Sequence, residues 1–253
     1  MSLHPGQGET LDRLAGDWWI FQLRRGHRYA TDDVLTAWTA VRARPGARRV
    51  LDLGAGVGSI GLMVLGCLDK EAHLTSVEVL DESVSLARRT VTYNGLEARV
   101  DVRRGDLRDP TVIAPSELFD VITANPPFLP EGTGWPSPQP QRRAARFELH
   151  GDVFDYCRVA ARHLDDRGRL CFCHAAADKR PARAVNEAGL VVLTRQLVVF
   201  RCGRPPQLAL YCCGLDDGSA TEAGELDALC VRDEHGQRTD GYLQVLREMR
   251  IVE

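Results

Sequence analysis

The stretch "LDLGAGVGSIG", residues 51–61, is the part of the sequence that most clearly indicates the fold. An apolar strand over residues 50–53 runs into a glycine-rich turn, and the spacing after it predicts a helix over residues 57–68. Glycines at such a turn let the backbone approach a ligand closely and present the amides of a helix N-terminus. The spacing Gly56-x-Gly58-x-x-Gly61 therefore predicts a nucleotide-type ligand, but it does not choose between cofactor classes.

Strand-like and helix-like segments alternate beyond this turn, which is typical of a parallel sheet covered by helices. The last two core strands have no helix between them, which favours an antiparallel edge. We predict an α/β fold: Rossmann-like, doubly wound, with a mostly parallel seven-stranded sheet and an antiparallel edge strand. The predicted strands lie at residues 50–53, 72–79, 98–107, 119–124, 168–175, 191–200 and 206–214, and the helices at 57–68, 81–96, 149–164 and 178–190.

The chain length of 253 residues suits a single domain. We divide it into an N-terminal cap (1–45), a core (46–215) and a C-terminal extension with a strand and a helix (216–253). No apolar run approaches the ~20 residues that cross a bilayer, and the first ten residues do not resemble an export signal. We therefore expect a cytoplasmic protein without membrane contact, and we expect it to be a monomer.

Charge and cysteine usage narrow the function further. A net charge of −3 argues against a generally basic nucleic-acid coat, although arginine clusters could form a local basic face. These clusters are Arg24, Arg25 and Arg28; Arg142, Arg143 and Arg146; and Arg247 and Arg250. None of the eight cysteines forms a C-x-x-C pair, so we expect reduced thiols and no metal site.

Three acidic residues lie at the ends of the first three core strands and favour one cofactor class. Asp52 would repel a pyrophosphate but could help to hold the ammonium group of an amino-acid ligand. Glu78 would accept hydrogen bonds from ribose hydroxyls, and Asp106 from an adenine amino group. In this order, one per strand, they resemble the class I S-adenosylmethionine-dependent methyltransferases. The resemblance implies S-adenosylmethionine as cofactor and S-adenosylhomocysteine as product, and it adds Gly54, Gly56, Gly58, Leu107 and Asn125 as cofactor contacts.

The fourth core strand ends abruptly in "NPPF", residues 125–128, where two prolines cannot continue a sheet ladder. The motif resembles that of methyltransferases acting on planar, amide-like or exocyclic nitrogens. Two acceptors, the Asn125 side-chain oxygen and the Pro126 carbonyl, could draw such a nitrogen toward tetrahedral geometry. Phe128 would stack on the base, worth ~1–3 kcal/mol. We assign Asn125, Pro126, Pro127 and Phe128 as the catalytic residues.

The flanking segments resemble the bacterial tRNA(Val) adenine-N6 methyltransferase family, which modifies the adenine next to the anticodon. The matching positions upstream of the first core strand are Gln22, Gly26, Arg28, Tyr29, Asp32, Leu35 and Ala37, with Arg146 and Glu148 after the catalytic motif. The resemblance implies cofactor contacts from Tyr29, Thr31 and Asp32. Phe147 replaces the family's histidine, and Phe128 stands where the family often has tyrosine.

We therefore predict an enzyme that methylates the N6 of an adenine in RNA, most plainly in tRNA. Arg142, Arg143 and Arg146 would bind phosphates beside a flipped base. The alternatives are a methyltransferase of guanine-N2 in ribosomal RNA, one of a protein glutamine amide, or a catalytically silent partner subunit. A nicotinamide oxidoreductase would leave the residues of "NPPF" without a role.

Overall fold

The computed structural model describes residues 3–135, 137–216, 218 and 223–252. The strands in these ranges are β1 (Glu9–Ala15), β2 (Trp18–Leu23), β3 (Arg49–Leu53), β4 (His73–Glu78), β5 (Val100–Arg104), β6 (Phe119–Ala124), β7 (Leu164–Ala175), β8 (Leu190–Val199), β9 (Leu208–Leu215) and β10 (Gly224–Cys230). The helices are α1 (Thr31–Ala43), α2 (Ser59–Cys67), α3 (Asp81–Tyr93), α4 (Pro140–Ala144), α5 (Val153–His163), α6 (Arg180–Glu187) and α7 (Asp240–Glu248).

Eight strands form one sheet in the order β10-β8-β9-β7-β6-β3-β4-β5. Only β9 runs antiparallel to its neighbours β7 and β8, while the other pairs are parallel. The chain proceeds from β3 outward through β4 and β5 and then returns to β6 on the other side of β3. The strand order therefore reverses between β3 and β6, and folds of this type bind ligands in the crevice at the carboxyl ends of such strands.

The predicted α/β fold with a mostly parallel sheet is confirmed, with two differences in detail. The antiparallel strand β9 lies between β7 and β8 rather than at an edge, and β10 adds an eighth strand beside β8. Strand β10 is mostly exposed, so its sequence lacks the apolar alternation that marks a buried strand.

Two apolar layers cover the faces of the sheet. On one face, α1, α2, α3 and α7 pack with the first hairpin, and the buried side chains include Leu35, Met63 and Leu246. On the other face, α5 and α6 cover a second cluster that includes Ile122 and Phe172. Helix α5 begins at a capping box, in which the Asp152 carboxylate accepts hydrogen bonds from the amides of Phe154 and Asp155.

The N-terminal segment contains a β-hairpin that the sequence did not predict. Strands β1 and β2 pair antiparallel and dock on the C-terminal half of α3. The Asn94 side chain accepts a hydrogen bond from the Trp19 amide (2.9 Å) and donates one to the Trp19 carbonyl (2.7 Å). Thr90 Oγ1 accepts from the Phe21 amide at 3.0 Å. These side-chain hydrogen bonds thus satisfy backbone N–H and C=O groups of β2 that are not hydrogen-bonded to β1.

One expectation about the cysteines is wrong. Cys202 and Cys230 form a disulfide, while the remaining six cysteines are free thiols. The pair lies 28 residues apart in sequence, but the parallel β8–β10 register places Val199 beside Cys230 and so brings Cys202 close. That register depends on β10, which was not predicted as part of the sheet.

Within the described ranges, no helix is both long and apolar enough to cross a bilayer. The same residues contain no group of three or more histidine, cysteine or acidic side chains arranged to hold a metal ion.

We expect Asn94→Ala to loosen the hairpin selectively, because the Trp19 backbone groups lose their side-chain partners at a cost of about 1–3 kcal/mol. Hydrogen exchange should speed up in β1 and β2 while the amides of β3 and β6 keep their protection. Asn186→Ala, at an exposed position of α6, is the matched control. Unchanged exchange in the hairpin would contradict the docking role of Asn94.

Candidate active site

A cavity of about 430 Å³ lies at the carboxyl ends of β3, β4 and β6. Its size is within the range of small-molecule and cofactor sites. Four loops meet there: the glycine turn after β3, the end of β4, the turn after β5, and the "NPPF" segment after β6. The lining residues include Gly54, Gly56, Glu78, Leu80, Leu107, Asn125, Pro126, Pro127, Phe128 and Arg146. The structure therefore brings together the motifs that are far apart in sequence.

The glycine turn adopts a conformation that other residues would strain. Gly54, Gly56 and Gly58 have φ values of +63°, +57° and +89°. A Cβ at Gly54 would also collide with the Tyr156 hydroxyl, whereas a Cβ at Gly56 would meet no atom within 4 Å. Gly56 lines the cavity, so its missing side chain leaves room for a ligand to approach the backbone.

Glu78 lies at the cavity wall and also organises the surrounding loops. Its Oε2 accepts a hydrogen bond from the Gly56 amide and its Oε1 accepts one from the Leu80 amide, both at 2.8 Å. Burial raises the pKa of this carboxyl. Each carboxylate oxygen can accept a further hydrogen bond, so Glu78 is able to take both hydroxyls of a ribose. The carboxylate and the open Gly56 backbone fit the nucleoside part of S-adenosylmethionine.

Asp52 lies behind the glycine turn and does not line the cavity. It is 1% exposed, and its two oxygens accept hydrogen bonds from Thr123 Oγ1 (2.7 Å) and the Gly61 amide (3.0 Å). Burial raises its pKa to about 7. From this position Asp52 connects β3 with β6 and with α2. Any effect of Asp52 on the ammonium group of the cofactor would therefore be indirect, through the glycine turn.

The turn after β5 contributes backbone and an apolar side chain. Gly105 and Leu107 line the cavity, while the Asp106 carboxylate is paired with the Arg108 guanidinium (Nη2–Oδ2 2.5 Å). The hydrogen bond from Arg108 lowers the pKa of Asp106. Asp106 therefore has a partner outside the cavity, and Leu107, the next residue, is the one that lines the cavity.

The N-terminal contacts differ from one another in placement. Tyr29 and Asp32 line the cavity, whereas Thr31 starts α1 and does not. The Tyr29 hydroxyl donates to the Arg13 carbonyl at 2.9 Å, which ties it to the hairpin. Asp32 Oδ2 accepts from the Asn125 side-chain amide at 2.9 Å. Asp32 thus contacts the "NPPF" segment directly.

Asn125 is surrounded by three side chains. Its Nδ2 donates to Asp32 Oδ2 and also to Asp33 Oδ1 (3.0 Å), and its Oδ1 accepts from the Cys173 thiol (3.1 Å). Burial, and next the charge of Asp32, raise the pKa of Asp33 to about 8. Asp33 and Cys173 were not among the predicted site residues.

Phe128 is supported from behind by β7 and α6. Its ring lies 4.7 Å from the His174 ring, between centroids, and its carbonyl accepts from Arg180 Nη2 at 3.1 Å. Arg180 also binds Glu148 Oε1 at 2.7 Å, so Glu148 of the family-like segment acts on Phe128 through this guanidinium. Burial lowers the pKa of His174 to about 4, which keeps the ring neutral near pH 7.

The predicted RNA-binding arginines lie on the loop that follows the catalytic motif. Arg142 and Arg143 are exposed on α4, and Arg146 lines the cavity. Gln141 fixes this loop, since its Oε1 accepts from the His27 amide (2.9 Å) and its Nε2 donates to Ser83 Oγ (3.0 Å). Through His27 the loop adjoins Arg24 and Arg25, which are also exposed.

The other predicted basic positions lie elsewhere. Arg28 is paired with Asp12 (2.9 Å), and Arg250 donates to the Gly66 carbonyl near α2. Sequence reasoning also missed several cavity residues: His27, Ser83, Gln141, His150 and Tyr156. They come from helices and loops whose approach to the cavity depends on tertiary packing, so no local pattern distinguished them.

Comparison with known proteins agrees with this arrangement. A model of the methyltransferase small domain matches residues 36–134. A tRNA1(Val) (adenine(37)-N6)-methyltransferase of Tolumonas auensis is 28% identical over 231 residues, covering 90% of this chain and 92% of the relative. The enzyme of that name from Klebsiella pneumoniae is 29% identical over 170 residues, with 66% and 64% covered.

Solved structures support the fold alone. A predicted O-methyltransferase from Agrobacterium tumefaciens superposes with a TM-score of 0.63 at 20% identity, covering 87% of this chain and 97% of that protein. The ribosomal protein L11 methylase of Lactobacillus delbrueckii subsp. bulgaricus gives a TM-score of 0.51 at 14% identity, with 72% and 77% covered.

Replacing Glu78 tests the ribose assignment. We expect Glu78→Ala to raise the Kd for S-adenosylmethionine by about 10- to 100-fold, because charge-assisted hydrogen bonds are removed from a buried position. Titration calorimetry measures the change, and Glu97→Ala, an exposed glutamate after α3, serves as control. A Kd that stays at the wild-type value would rule out a ribose contact from Glu78.

Proposed function

We propose that this class I S-adenosylmethionine-dependent methyltransferase, which resembles the bacterial tRNA1(Val) adenine-N6 methyltransferases, methylates N6 of an adenine in tRNA next to the anticodon. The observation that carries the proposal is the position of "NPPF" in the wall of the cavity that contains Gly56 and Glu78. The likeness of the tRNA1(Val) enzymes over nearly the whole chain supports the choice of substrate.

Bound in this cavity, S-adenosylmethionine supplies an electrophilic methyl group on its sulfonium. The residues of the chain prepare the acceptor nitrogen. Asn125 Oδ1 and the Pro126 carbonyl accept hydrogen bonds from the two hydrogens of the adenine amino group, which frees the nitrogen lone pair from the ring. Pro127 restricts the backbone of Pro126 and so fixes the direction of that carbonyl. Alignment of the two reactants supplies much of the rate.

Phe128 holds the plane of the base. Its ring is half-buried, rests against His174 and faces the cavity, so one side remains for stacking. Stacking on an aromatic side chain tolerates any base, so the hydrogen bonds of Asn125 and Pro126 select an exocyclic amino group. The scheme requires no separate general base, because the proton can leave to water after transfer.

The rim of the cavity is suited to RNA phosphates. No hydrogen bond or ion pair within the described part of the chain occupies the guanidinium groups of Arg24, Arg25, Arg142, Arg143 and Arg146. They lie on two segments that Gln141 fastens together. Guanidinium groups around a pocket for a flipped base can bind the phosphates of the RNA backbone, and recognition of a flipped base needs such contacts.

Trp135 adds an aromatic group to the same loop. Its side chain is 95% exposed, which is unusual for a ring of this size. An exposed indole on the segment that precedes Arg142 and Arg143 is a stacking platform for an unpaired base, and the anticodon loop presents such bases.

We further propose that the enzyme works as a monomer in the cytoplasm, where it would meet its tRNA substrate. The glycine turn, Glu78 and the "NPPF" segment, which carry the proposed chemistry, all belong to the same chain, which supports this proposal.

The substrate test uses labelled S-adenosylmethionine with separate pools of tRNA, ribosomal RNA and protein, followed by digestion and identification of the product. N6-methyladenosine in the tRNA pool is expected. Methylguanosine in ribosomal RNA or methylglutamine in protein would overturn the substrate but keep the chemistry. Cofactor binding without transfer to any pool would favour a silent partner subunit.

In the same assay, Asn125→Ala should abolish transfer, because the amino group loses one of its two acceptors. The Kd for S-adenosylmethionine should stay within a few fold of the wild-type value, since the glycine turn and Glu78 are untouched. Transfer that persists in this variant would exclude the proposed role of the Asn125 amide.

Removing guanidiniums from the rim should change the salt dependence of tRNA binding. For Arg142→Ala with Arg143→Ala, we expect the slope of log K against log salt to fall by about 2, one for each phosphate that the variant no longer binds. Filter binding over a range of KCl concentrations measures it. Arg162→Ala is the matched control, because Arg162 is exposed on α5 near the start of β7, at the opposite edge of the sheet. Equal slopes for all variants would disprove the phosphate contacts.

A further inference from the structure

Hydrogen bonds within the protein occupy three of the four hydrogen-bonding positions of the Asn125 side-chain amide. A primary amide has two donor hydrogens and two acceptor lone pairs. The chain engages both hydrogens, through Asp32 Oδ2 (2.9 Å) and Asp33 Oδ1 (3.0 Å). It also engages one lone pair of Oδ1, through the Cys173 thiol (3.1 Å). One acceptor position remains, and Asn125 lines the cavity.

From this count, we propose that Asp33 and Cys173 are positioning residues that fix the orientation of the Asn125 amide. With Nδ2 directed at two carboxyl oxygens and Oδ1 at a thiol, the remaining lone pair of Oδ1 is presented to the acceptor nitrogen of the substrate. The proposal rests on the proposed function, since it assumes that Asn125 Oδ1 accepts a hydrogen bond from that nitrogen.

The opposite orientation of the amide is unfavourable. A rotation by 180° would direct Oδ1 at the oxygens of Asp32 and Asp33 and would leave the Cys173 hydrogen facing Nδ2, which has no acceptor lone pair. Protonation of Asp33 gives its carboxyl an O–H donor and so weakens this preference, but the contacts with Asp32 Oδ2 and the Cys173 thiol still favour the same orientation. The surrounding residues thus determine which end of the amide can meet the substrate.

Both residues are held firmly in place. Asp33 is 3% exposed in the first turn of α1, and its Oδ2 also accepts from the Ala30 amide (3.1 Å), which caps the helix. Cys173 is fully buried in β7, and the β6–β7 register pairs Ala124 with Phe172, so Asn125 and Cys173 occupy the next positions of the two chains. Helix α1 and strand β7 therefore approach Asn125 from different directions.

Cys173 offers a direct test by matched variants. Cys173→Ala removes the donor, and we expect kcat to fall about three- to tenfold, the effect of one hydrogen bond, with the KM values for cofactor and tRNA within twofold. Cys173→Ser restores a donor and should recover most of the missing kcat. Cys213→Ala, which removes a fully buried thiol from β9 on the other face of the sheet, should leave kcat unchanged.

Asp33→Asn gives a second kinetic test. It keeps the size of the side chain and one oxygen to cap Ala30, but it places an amide nitrogen where an acceptor stood. We expect a fall in kcat of about tenfold with unchanged KM values. Full kcat in both Cys173→Ala and Asp33→Asn, a loss confined to KM, or a Cys173→Ala defect that serine does not repair would overturn the proposal.

The amide itself can be observed without any turnover. The sequence contains only three asparagines, Asn94, Asn125 and Asn186, so protein labelled with ¹⁵N-asparagine gives three side-chain NH₂ signals. The Asn125 signal, assigned by its loss in Asn125→Ala, should exchange slowly with water, and about tenfold faster in Asp33→Asn, where the added fourth signal is identified in the double variant with Asn125→Ala. Asn94, which donates to two carbonyls, and exposed Asn186 are internal references for held and free amides.

These measurements separate failure of the proposal from failure of the proposed function. If the wild-type enzyme modifies a substrate other than tRNA, the same kcat comparisons apply to that substrate. If it modifies none, the NH₂ exchange decides. Exchange of Asn125 as fast as that of Asn186 in the wild-type protein would show that the amide is not held.

Discussion

The hydrogen bond between Asp52 and Thr123 is the contact on which the geometry of the site depends. The two residues are register partners on β3 and β6, the strands between which the chain order reverses. The second oxygen of Asp52 accepts from the Gly61 amide and so fixes the first turn of α2. Because Leu53 pairs with Ala124, the next residues of the two strands, Gly54 and Asn125, begin side by side at the cavity. A shift of this register would separate the cofactor turn from the catalytic motif.

The charges around the cavity are divided between its floor and its rim. Near the floor, burial raises the pKa of Asp33, Asp52 and Glu78, which are thus costly to ionise in isolation. A cationic cofactor lowers that cost, since a positive charge favours the ionised form of nearby carboxyls. At the rim, the exposed guanidiniums of Arg142, Arg143 and Arg146 are the groups that we propose to bind phosphate. One small site therefore suits both a sulfonium cofactor and a polyanionic substrate, although the net charge of the chain is −3.

The sequence allowed the glycine turn and the "NPPF" tetrapeptide to be identified as candidate site segments, because each depends on local chemistry, and both line the cavity. A glycine-rich turn and consecutive prolines can be recognised from the local sequence alone, without knowing which segment packs against them. The docking of the β1–β2 hairpin on α3, the pairing of β10 with β8 and the Cys202–Cys230 disulfide could not be recognised in this way, since each depends on a partner distant in sequence. Asp33 was overlooked for the same reason. Its role follows from a contact with Asn125, 92 residues away, while Asp32 beside it matched the family pattern.

One departure from the family pattern, phenylalanine in place of histidine at residue 147, is explained by the contacts of the segment around it. Leu129 and Phe147 form a β-bridge, in which the Leu129 amide donates to the Arg146 carbonyl and the Glu148 amide donates to the Leu129 carbonyl. These two bonds, which involve backbone atoms only, close the loop between residues 129 and 147, and the Phe147 side chain is buried. The side chain that acts on the site is Glu148, through Arg180 and the Phe128 carbonyl. A phenylalanine in place of histidine at residue 147 therefore preserves the support of the stacking ring, because that support requires a closed loop and a carboxylate at the next position.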